Sequence, residues 1–463
     1  MSDSLKCYSP VDGSLYFERP YMSLDKIPEI VATAREAGDA WRQKTVQERA
    51  QILTECVEKF VSKQDRITEE LAWQIGRPVK FGAGEVGGFK ERAEYMISIA
   101  EEALAPVQVA EKEGFTRYIK REPLGTVFTI APWNFPYMTA VNSIVPALMA
   151  GNAVILKHAT QTHLCGELMV EAFEEAGLPK GLFQLVVASH EFAAQLIQSG
   201  GVQFTAFTGS VPGGAAIEKA AEGQFMGVGL ELGGKDPAYV CADIDPKYAA
   251  ENLVDGAMFN SGQSCCGIER IYVHADVYQP FVDAVVETVN AYKLGNPLDA
   301  DTTLGPVVNA KAAEFVRGQI RDAVAAGGKA LIDPANFEAD KEGSPYLAPQ
   351  VVVDVDHTMR IMTEESFGPV VGIMKVSSDE EAIRLMNDSE FGLTASIWTE
   401  DVDKAIAIGD RIETGTWFMN RCDYLDPALA WTGVKNSGRG CTLSRVGYES
   451  LTRPKSYHLR TKI

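Results

Sequence analysis

The octet Phe259-Asn260-Ser261-Gly262-Gln263-Ser264-Cys265-Cys266 sets two adjacent cysteines behind small and polar residues. A thiol in an apolar core needs no such neighbours. A thiolate nucleophile needs backbone amides, room for a substrate and a base within reach. Gly262 permits a close backbone approach or a positive φ. Alone, the octet leaves two readings open: a turn carrying inert thiols, or a nucleophilic cysteine. Five other groups carry chemistry that would complete the second reading. Asn134, in Ile130-Ala131-Pro132-Trp133-Asn134-Phe135-Pro136, has an amide that can donate to a developing oxyanion, or else satisfies its local backbone. Glu231, in Leu230-Glu231-Leu232-Gly233-Gly234-Lys235, lies between leucines. Desolvation there favours the neutral acid and suits a general base near neutral pH; the alternative is a strand-end glutamate facing water. Lys157, before His158-Ala159-Thr160, can reach ribose hydroxyls or phosphate, or be solvated. Phe207-Thr208-Gly209-Ser210-Val211-Pro212-Gly213-Gly214 offers glycines, a hydroxyl and a helix start to a phosphate. It is not the Gly-x-Gly-x-x-Gly dinucleotide turn. Glu364-Glu365-Ser366-Phe367-Gly368-Pro369 is either a ribose-binding turn or a solvated acidic loop.

Most of these groups follow short apolar runs. Strands are predicted at Gly125–Ala131, Ala153–Leu156, Leu182–Val187 and Gln203–Phe207. Helices are predicted at Tyr137–Ala150, His163–Ala176, Glu191–Gln198 and Gly214–Ala221. Apolar strands alternating with helices imply a parallel sheet covered on both faces, which binds ligands at its carboxyl end. A second α/β set follows Gly234, with strands at Ala238–Val240, Arg270–Val273, Val370–Val376 and Ala395–Trp398. Its helices are Val277–Tyr292, Lys311–Ala325 and Asp379–Asn387. Met1–Tyr21 reads as short strands and turns. Ser23–Glu102 repeats its apolar residues at helical spacing, with Asp25 as a cap for the first helix. Phe115–Glu122 alternates as a strand with basic outward positions.

A length of 463 residues suggests two to three domains, and the composition is that of an ordinary soluble globular protein. A net charge of −20 counts against nucleic acid and anionic membranes as partners. An anionic cofactor then needs local cations or helix N-termini. Eight scattered cysteines without metal-ligand spacing suit a reducing compartment, with neither a disulfide framework nor a metal site. Met1–Pro10 has no signal-peptide core. The most apolar stretch, Ala140–Leu156, is interrupted by Asn142, Ser143, Pro146 and Asn152, so no membrane span is expected. A cytoplasmic protein is the expectation.

Taken in order, Asn134, Lys157, Gly209-Ser210, Glu231, Gly262-Gln263-Ser264-Cys265 and Glu365-Ser366-Phe367-Gly368-Pro369 resemble the aldehyde dehydrogenase superfamily. The closing Trp431-Thr432-Gly433-Val434-Lys435-Asn436-Ser437-Gly438 also resembles that family's C-terminal signature, so the likeness runs from about Ser23 to the end. The resemblance implies an α/β fold: a Rossmann-like cofactor domain (1–103 and 124–233), an α/β catalytic domain (234–434) and a β-arm for oligomerisation (104–123 and 435–463). Phe115–Glu122 and Lys455–Thr461 would form the arm of a homodimer or homotetramer.

By the same resemblance, Cys265 would attack an aldehyde, and Asn134 with the Cys265 amide would hold the oxyanion. Glu231 would activate the water that hydrolyses the thioester. NAD or NADP would lie against Pro132, Trp133, Lys157, Thr160, Gly209, Ser210, Leu232, Glu365 and Phe367. Tyr137, Met138, Phe259, Ser264 and Trp431 would line the substrate tunnel. Their apolar character favours an aliphatic or aromatic aldehyde over a short charged semialdehyde, although Arg421, beside Asp423 at the mouth, would suit a substrate carboxylate. Two departures stand out. Thr160 replaces a common glutamate that repels a 2′-phosphate, so NADP should be tolerated. Asn142-Ser143 replaces Trp-Lys, so a proposed lysine proton relay is absent. Cys266 reads as a packing neighbour. A CoA-acylating member typically lacks the hydrolytic glutamate, and a silent member usually loses nucleophile or base; this chain keeps Glu231 and Cys265.

Overall fold

The computed structural model describes residues 4–463. Met1–Asp3 lie outside the described residues, so the expectations for the N-terminus are met only from Ser4 onward, where Ser4–Tyr8 and Leu15–Pro20 pair antiparallel. Four helices follow: Ile27–Trp41, Val46–Val61, Gln64–Ile75 and Gly82–Ala103. Asp25 does not cap the first. Its carboxylate accepts from the Ser23 hydroxyl, and the helix enters through a 3-10 turn, Leu24–Lys26, with no side-chain cap.

Two parallel sheets carry the architecture. In the first, spatial order runs Gly438–Arg439, Gly227–Glu231, Phe204–Thr208, Thr126–Ala131, Ala153–His158, Phe183–Leu185. All neighbours are parallel except Gly438–Arg439, which pairs antiparallel with Glu231 and Leu230. Every residue of Thr126–Ala131 and Ala153–His158 is buried, as continuous apolar strands covered on both faces require. The second sheet orders Lys329–Ala330, Gln350–Val353, Val370–Val376, Ile268–His274, Asp236–Val240, Thr394–Trp398 and Thr416–Met419, parallel except at the first edge. Separate apolar cores support the two sheets. The α/β expectation holds.

The predicted helix Tyr137–Ala150 shrinks to Val141–Met149, because the Asn134 turn continues through Ala140. The helix expected from Gly214 begins at Val211, where Ser210 caps it. The helix Pro246–Met258, capped by Asp245, was not anticipated.

A third, three-stranded antiparallel sheet stands apart: Val107–Gln108, Phe115–Pro123 and Thr452–Arg460. Its long pair runs from Phe115 opposite Arg460 to Pro123 opposite Thr452. The expected partner strand thus begins at Thr452 rather than Lys455. Not all of 435–463 lies in this sheet. Gly438–Arg439 edges the first sheet, and the helix Ser444–Ser450 is fastened to Gly82–Ala103 by the Tyr448 hydroxyl on Met96 O, 2.6 Å.

Candidate active site

The cysteine octet follows directly on helix Pro246–Met258 and opens with a tight 3-10 turn, Phe259–Gly262. Asn260, Ser261 and Gly262 are all left-handed, with φ of 52°, 57° and 70°. Only the glycine takes this conformation without a steric cost. A Cβ on Gly262 would also collide with the Gly368 carbonyl, so the turn seats directly on Gly368-Pro369. A Cβ on Gly234 would strike the Cys265 carbonyl oxygen, so the Gly233-Gly234 corner must pass this close to the candidate nucleophile.

Asn134 is buried at the end of strand Thr126–Ala131. Its Nδ2 donates to Gln263 O at 3.2 Å, two residues before Cys265. Its own carbonyl accepts from Asn260 Nδ2 at 3.1 Å and from Arg77 Nη2 at 2.5 Å. Arg77 is the hub here. It also donates through Nε to Asn260 Oδ1 at 3.0 Å, pairs with Glu85, and lies 4.6 Å over the Phe135 ring. The second Glu85 oxygen accepts from the amides of Tyr137 and Met138, both at 2.9 Å. One buried ion pair therefore ties the asparagine turn to the cysteine turn. His158 fastens the asparagine turn to the end of strand Ala153–His158 instead, with Nε2 against Pro136 O at 3.1 Å and Nδ1 against the Ala159 amide and the Thr162 hydroxyl, both at 3.0 Å. Burial pushes the His158 pKa down to about 3, so the ring is neutral and can both donate and accept.

Glu231 ends strand Gly227–Glu231. Burial raises its pKa, opposed by hydrogen bonds from Thr442 and Thr208 and by the Arg92 charge. Thr442 Oγ1 donates to one oxygen at 2.6 Å and Thr208 Oγ1 to the other at 3.2 Å. Thr442 reaches Glu231 because Gly438–Arg439 edges the same strand.

Cys265 and Glu231 line one cavity of about 650 Å³ with Met138, Phe259, Ser264 and Trp431. Four of the five expected tunnel residues are therefore on its wall. Tyr137 is not: it is fully buried in the core, edge-on to Phe60 at 5.0 Å. A strictly local reading of the turn could not tell which of Tyr137 and Met138 faces inward. Cys266 is buried beside the cavity, 3.0 Å from Asp423 Oδ1. The contact with the Cys265 thiol, burial and the Asp423 charge push its thiol well above the usual range, which keeps it protonated. Asp423 also accepts from Ser264 Oγ at 3.2 Å, deeper than the mouth position expected for it. Arg421 is exposed on the wall, 3.6 Å over the Tyr424 ring.

The proposed dinucleotide contacts cluster at the carboxyl ends of the first sheet and around Glu365. Lys157 is 9% exposed, and burial lowers its pKa, yet no described carboxylate lies in ion-pair range. A buried ammonium without a counter-charge suits hydroxyl or phosphate oxygens. Thr160 is exposed nearby in the turn Thr160–Thr162. Ser210 caps helix Val211–Ala221 through Gly213 N, 3.3 Å, and Gly209 N donates to Glu231 O, 3.0 Å. Pro212 has no amide, so Val211 N–H is the free donor left in the helix's first turn. Leu232 and Pro132 are buried, and Trp133 meets Phe367 edge-on at 5.5 Å. Glu365 accepts from Gly234 N at 3.0 Å; burial and the nearby Glu269 raise its pKa to about 8. The Lys235–Glu269 pair, 2.5 Å, fixes this loop, because Glu269 also accepts from the amides of Ser366 and Phe367. The partnerless lysine, the capped helix start and the buried carboxylate together fit a dinucleotide.

Arg77, Glu85, Arg92, Thr208, Thr442 and Glu269 escaped the sequence reading. For Glu85 and Arg92 a signal existed. They fall on the buried stripe of helix Gly82–Ala103, with Phe89 and Met96, where charges are out of place.

Comparison with known proteins agrees with this geometry. The sequence pattern of the Aldehyde dehydrogenase family matches residues 1–457. The chain is 34% identical over 465 residues to the NADP-dependent glyceraldehyde-3-phosphate dehydrogenase of Streptococcus equinus, covering 98% of this chain and 95% of that one. It is 32% identical over 434 residues to a succinate-semialdehyde dehydrogenase (NADP+) of Mycobacterium tuberculosis, covering 93% and 94%. The fold superposes with a TM-score of 0.93 on the betaine aldehyde dehydrogenase of Staphylococcus aureus solved with NAD+, at 26% identity, covering 99% and 92%.

Proposed function

The chain belongs to the aldehyde dehydrogenase family, and from that premise we propose that Cys265, Asn134 and Glu231 oxidise an aldehyde to its carboxylic acid with NAD or NADP. The observation that carries this reading is the shared cavity. Cys265 and Glu231 face the same space, and the Asn134 amide reaches the loop two residues before the thiol. Cys265 Sγ attacks the carbonyl carbon to form a thiohemiacetal. Asn134 Nδ2 and the Cys265 amide hold the oxyanion, donors set before the charge develops. Lys157, Ser210 and Glu365 would hold the dinucleotide, which would supply the hydride acceptor needed to leave a thioester on Cys265. Glu231 takes a proton from water as that water attacks the thioester. Its raised pKa brings it towards neutrality, where a base is most effective. A base on the same cavity favours hydrolysis over transfer to CoA.

The domain assignment follows: the first sheet with its helices binds cofactor, the second sheet carries Cys265, and the three-stranded sheet is an oligomerisation arm of a homodimer or homotetramer. No helix among the described residues is long and apolar enough to cross a membrane. With Thr160 exposed and neutral, a 2′-phosphate meets Lys157 without an opposing carboxylate, so NADP is used as well as NAD.

A panel of aldehydes with each cofactor tests the reading. Turnover with wild type and none with Cys265→Ala is expected. Unchanged oxidation by Cys265→Ala would overturn it, and a roughly thousandfold preference for NAD, about 4 kcal/mol, would overturn the cofactor assignment alone.

A further inference from the structure

Arg92 sits on the buried stripe of helix Gly82–Ala103 and is 7% exposed, yet it lines the cavity that holds Cys265 and Glu231. Its bonds run through one nitrogen only: Nη1 donates to Met138 O at 2.5 Å and to Asn142 Oδ1 at 3.4 Å. None of the described carboxylates forms an ion pair with it. The acids on the same wall are held by other donors. Glu231 accepts from Thr208 and Thr442, Glu91 from the Tyr424 hydroxyl at 2.6 Å, and Asp423 from Ser264 and Cys266. Asp255 lies on an exposed turn of helix Pro246–Met258. The Glu85, Glu231 and Glu91 charges act on Arg92 from a distance, but a buried guanidinium without a direct ion pair is unfavourable unless something supplies one.

A second group at the same place has the same deficit. Asn142 lines the cavity, and its Nδ2 is buried with no acceptor. Because Arg92 donates to Oδ1, the amide is oriented with its NH2 as the orphan. Buried donors without acceptors are rare, and an entering acceptor relieves the cost. The Arg92 Nε and Nη2 and the Asn142 NH2 thus offer donors at one end of the cavity, and no described protein acceptor is bonded to them.

We infer that Arg92 and Asn142 form an oxyanion-binding end of the substrate cavity, which selects aldehydes carrying a carboxylate or phosphate at the end remote from the carbonyl. The inference rests on the reading of Cys265 and Glu231 given above. A planar guanidinium matches either oxyanion with two parallel hydrogen bonds. The anionic end neutralises Arg92 while the carbonyl lies at Cys265. The inference departs from the preference for an aliphatic or aromatic aldehyde drawn from Tyr137, Met138, Phe259, Ser264 and Trp431, and it sets the substrate's anionic group at Arg92 rather than Arg421.

The test compares kcat/KM for three aldehydes: a four-carbon ω-oxo acid, a phosphorylated three-carbon aldehyde, and neutral pentanal. Wild type, Arg92→Met, Arg92→Lys and Asn142→Asp are compared, each with NAD and NADP. In wild type one anionic aldehyde is expected to exceed pentanal by at least about tenfold, and which of the two does so identifies the oxyanion. In Arg92→Met the ratio of anionic to neutral kcat/KM is expected to fall by about 100-fold, the loss typical of removing one partner of a desolvated charged contact. Arg92→Lys restores part of the ratio. Asn142→Asp sets a permanent carboxylate against the guanidinium and lowers the ratio in the same direction without removing the arginine. A ratio unchanged within about threefold in both Arg92→Met and Asn142→Asp overturns the inference. So does a parallel loss for all three aldehydes with a shifted acid limb, which would make Arg92 a counter-charge for Glu231. Wild-type oxidation of pentanal keeps the function reading intact in either case. Absence of any aldehyde oxidation defeats that reading instead.

Discussion

Removing Arg77 should damage stability and catalysis by separable amounts. In Arg77→Met, Glu85 stays buried and keeps the amides of Tyr137 and Met138 but loses the one ion-pair partner it has among the described residues. Leaving one partner of a buried pair uncompensated costs about 3–5 kcal/mol. The double variant Arg77→Met/Glu85→Gln removes the stranded charge. Its amide oxygen can still accept from both backbone amides, so most of that loss should return. Catalysis should not return with it. The Asn134 carbonyl and Asn260 Oδ1 both lose their Arg77 donors, and the two turns keep the bonds of Asn260 Nδ2 to Asn134 O and of Asn134 Nδ2 to Gln263 O. A misplacement on the scale of 1 Å at the oxyanion donor costs about 100-fold in kcat. Denaturant titration ranks the three proteins, and steady-state kinetics with a reactive aldehyde reads kcat. The expected pattern is a destabilised single variant, a rescued double variant, and a low kcat in both. A double variant no more stable than the single, or a kcat restored with stability, would refute this account of the hub.

Three further outcomes follow from the site. Thr442→Val removes a hydrogen bond that holds the Glu231 pKa down, so the acid limb of hydrolysis-limited kcat should move to higher pH; a limb that stays or moves lower contradicts the assigned contact. Thr160→Glu should depress kcat/KM for NADP far more than for NAD, read by the ratio of the two cofactors, because a carboxylate beside Lys157 repels a 2′-phosphate. His158 is held neutral, with a pKa near 3 against an ordinary 6.5, so the folded state resists a proton that the unfolded chain takes up. Its contribution is present above pH 6.5 and is lost as pH falls towards the folded value, by about 1.4 kcal/mol per pH unit. The stability advantage of wild type over His158→Gln, measured by denaturation between pH 7 and pH 5, should narrow accordingly; an advantage that widens would contradict the neutral ring.

The sheet strands were legible because continuous apolar runs bounded by polar turns have few alternatives, and Val370–Val376 and Asp379–Asn387 match their predicted bounds. Cys265, Glu231 and Asn134 stand out as candidates in the sequence because each sits in a short polar interruption after an apolar run. What escaped was whatever depends on contacts distant in sequence. Thr442 meets Glu231 only because a two-residue strand 207 positions later joins the same edge, Gly438 opposite Glu231. Arg77 reads as an ordinary charge after a helix, and its role emerges only when Asn134 and Asn260 converge on it. Tyr137 and Met138 show the limit of pattern in a turn. Adjacent residues of similar size go to opposite sides, and no periodicity applies there to say which.

In the proposed mechanism the Cys265 sulfur carries the substrate and Glu231 releases it. Glu231→Gln should therefore be mixed with aldehyde and NAD or NADP, quenched, and digested for mass spectrometry. The predicted result is one equivalent of reduced cofactor formed in a rapid first phase, slow turnover after it, and an acyl adduct on Cys265. An adduct on Cys266, or a first phase without any acylated cysteine, would contradict the mechanism.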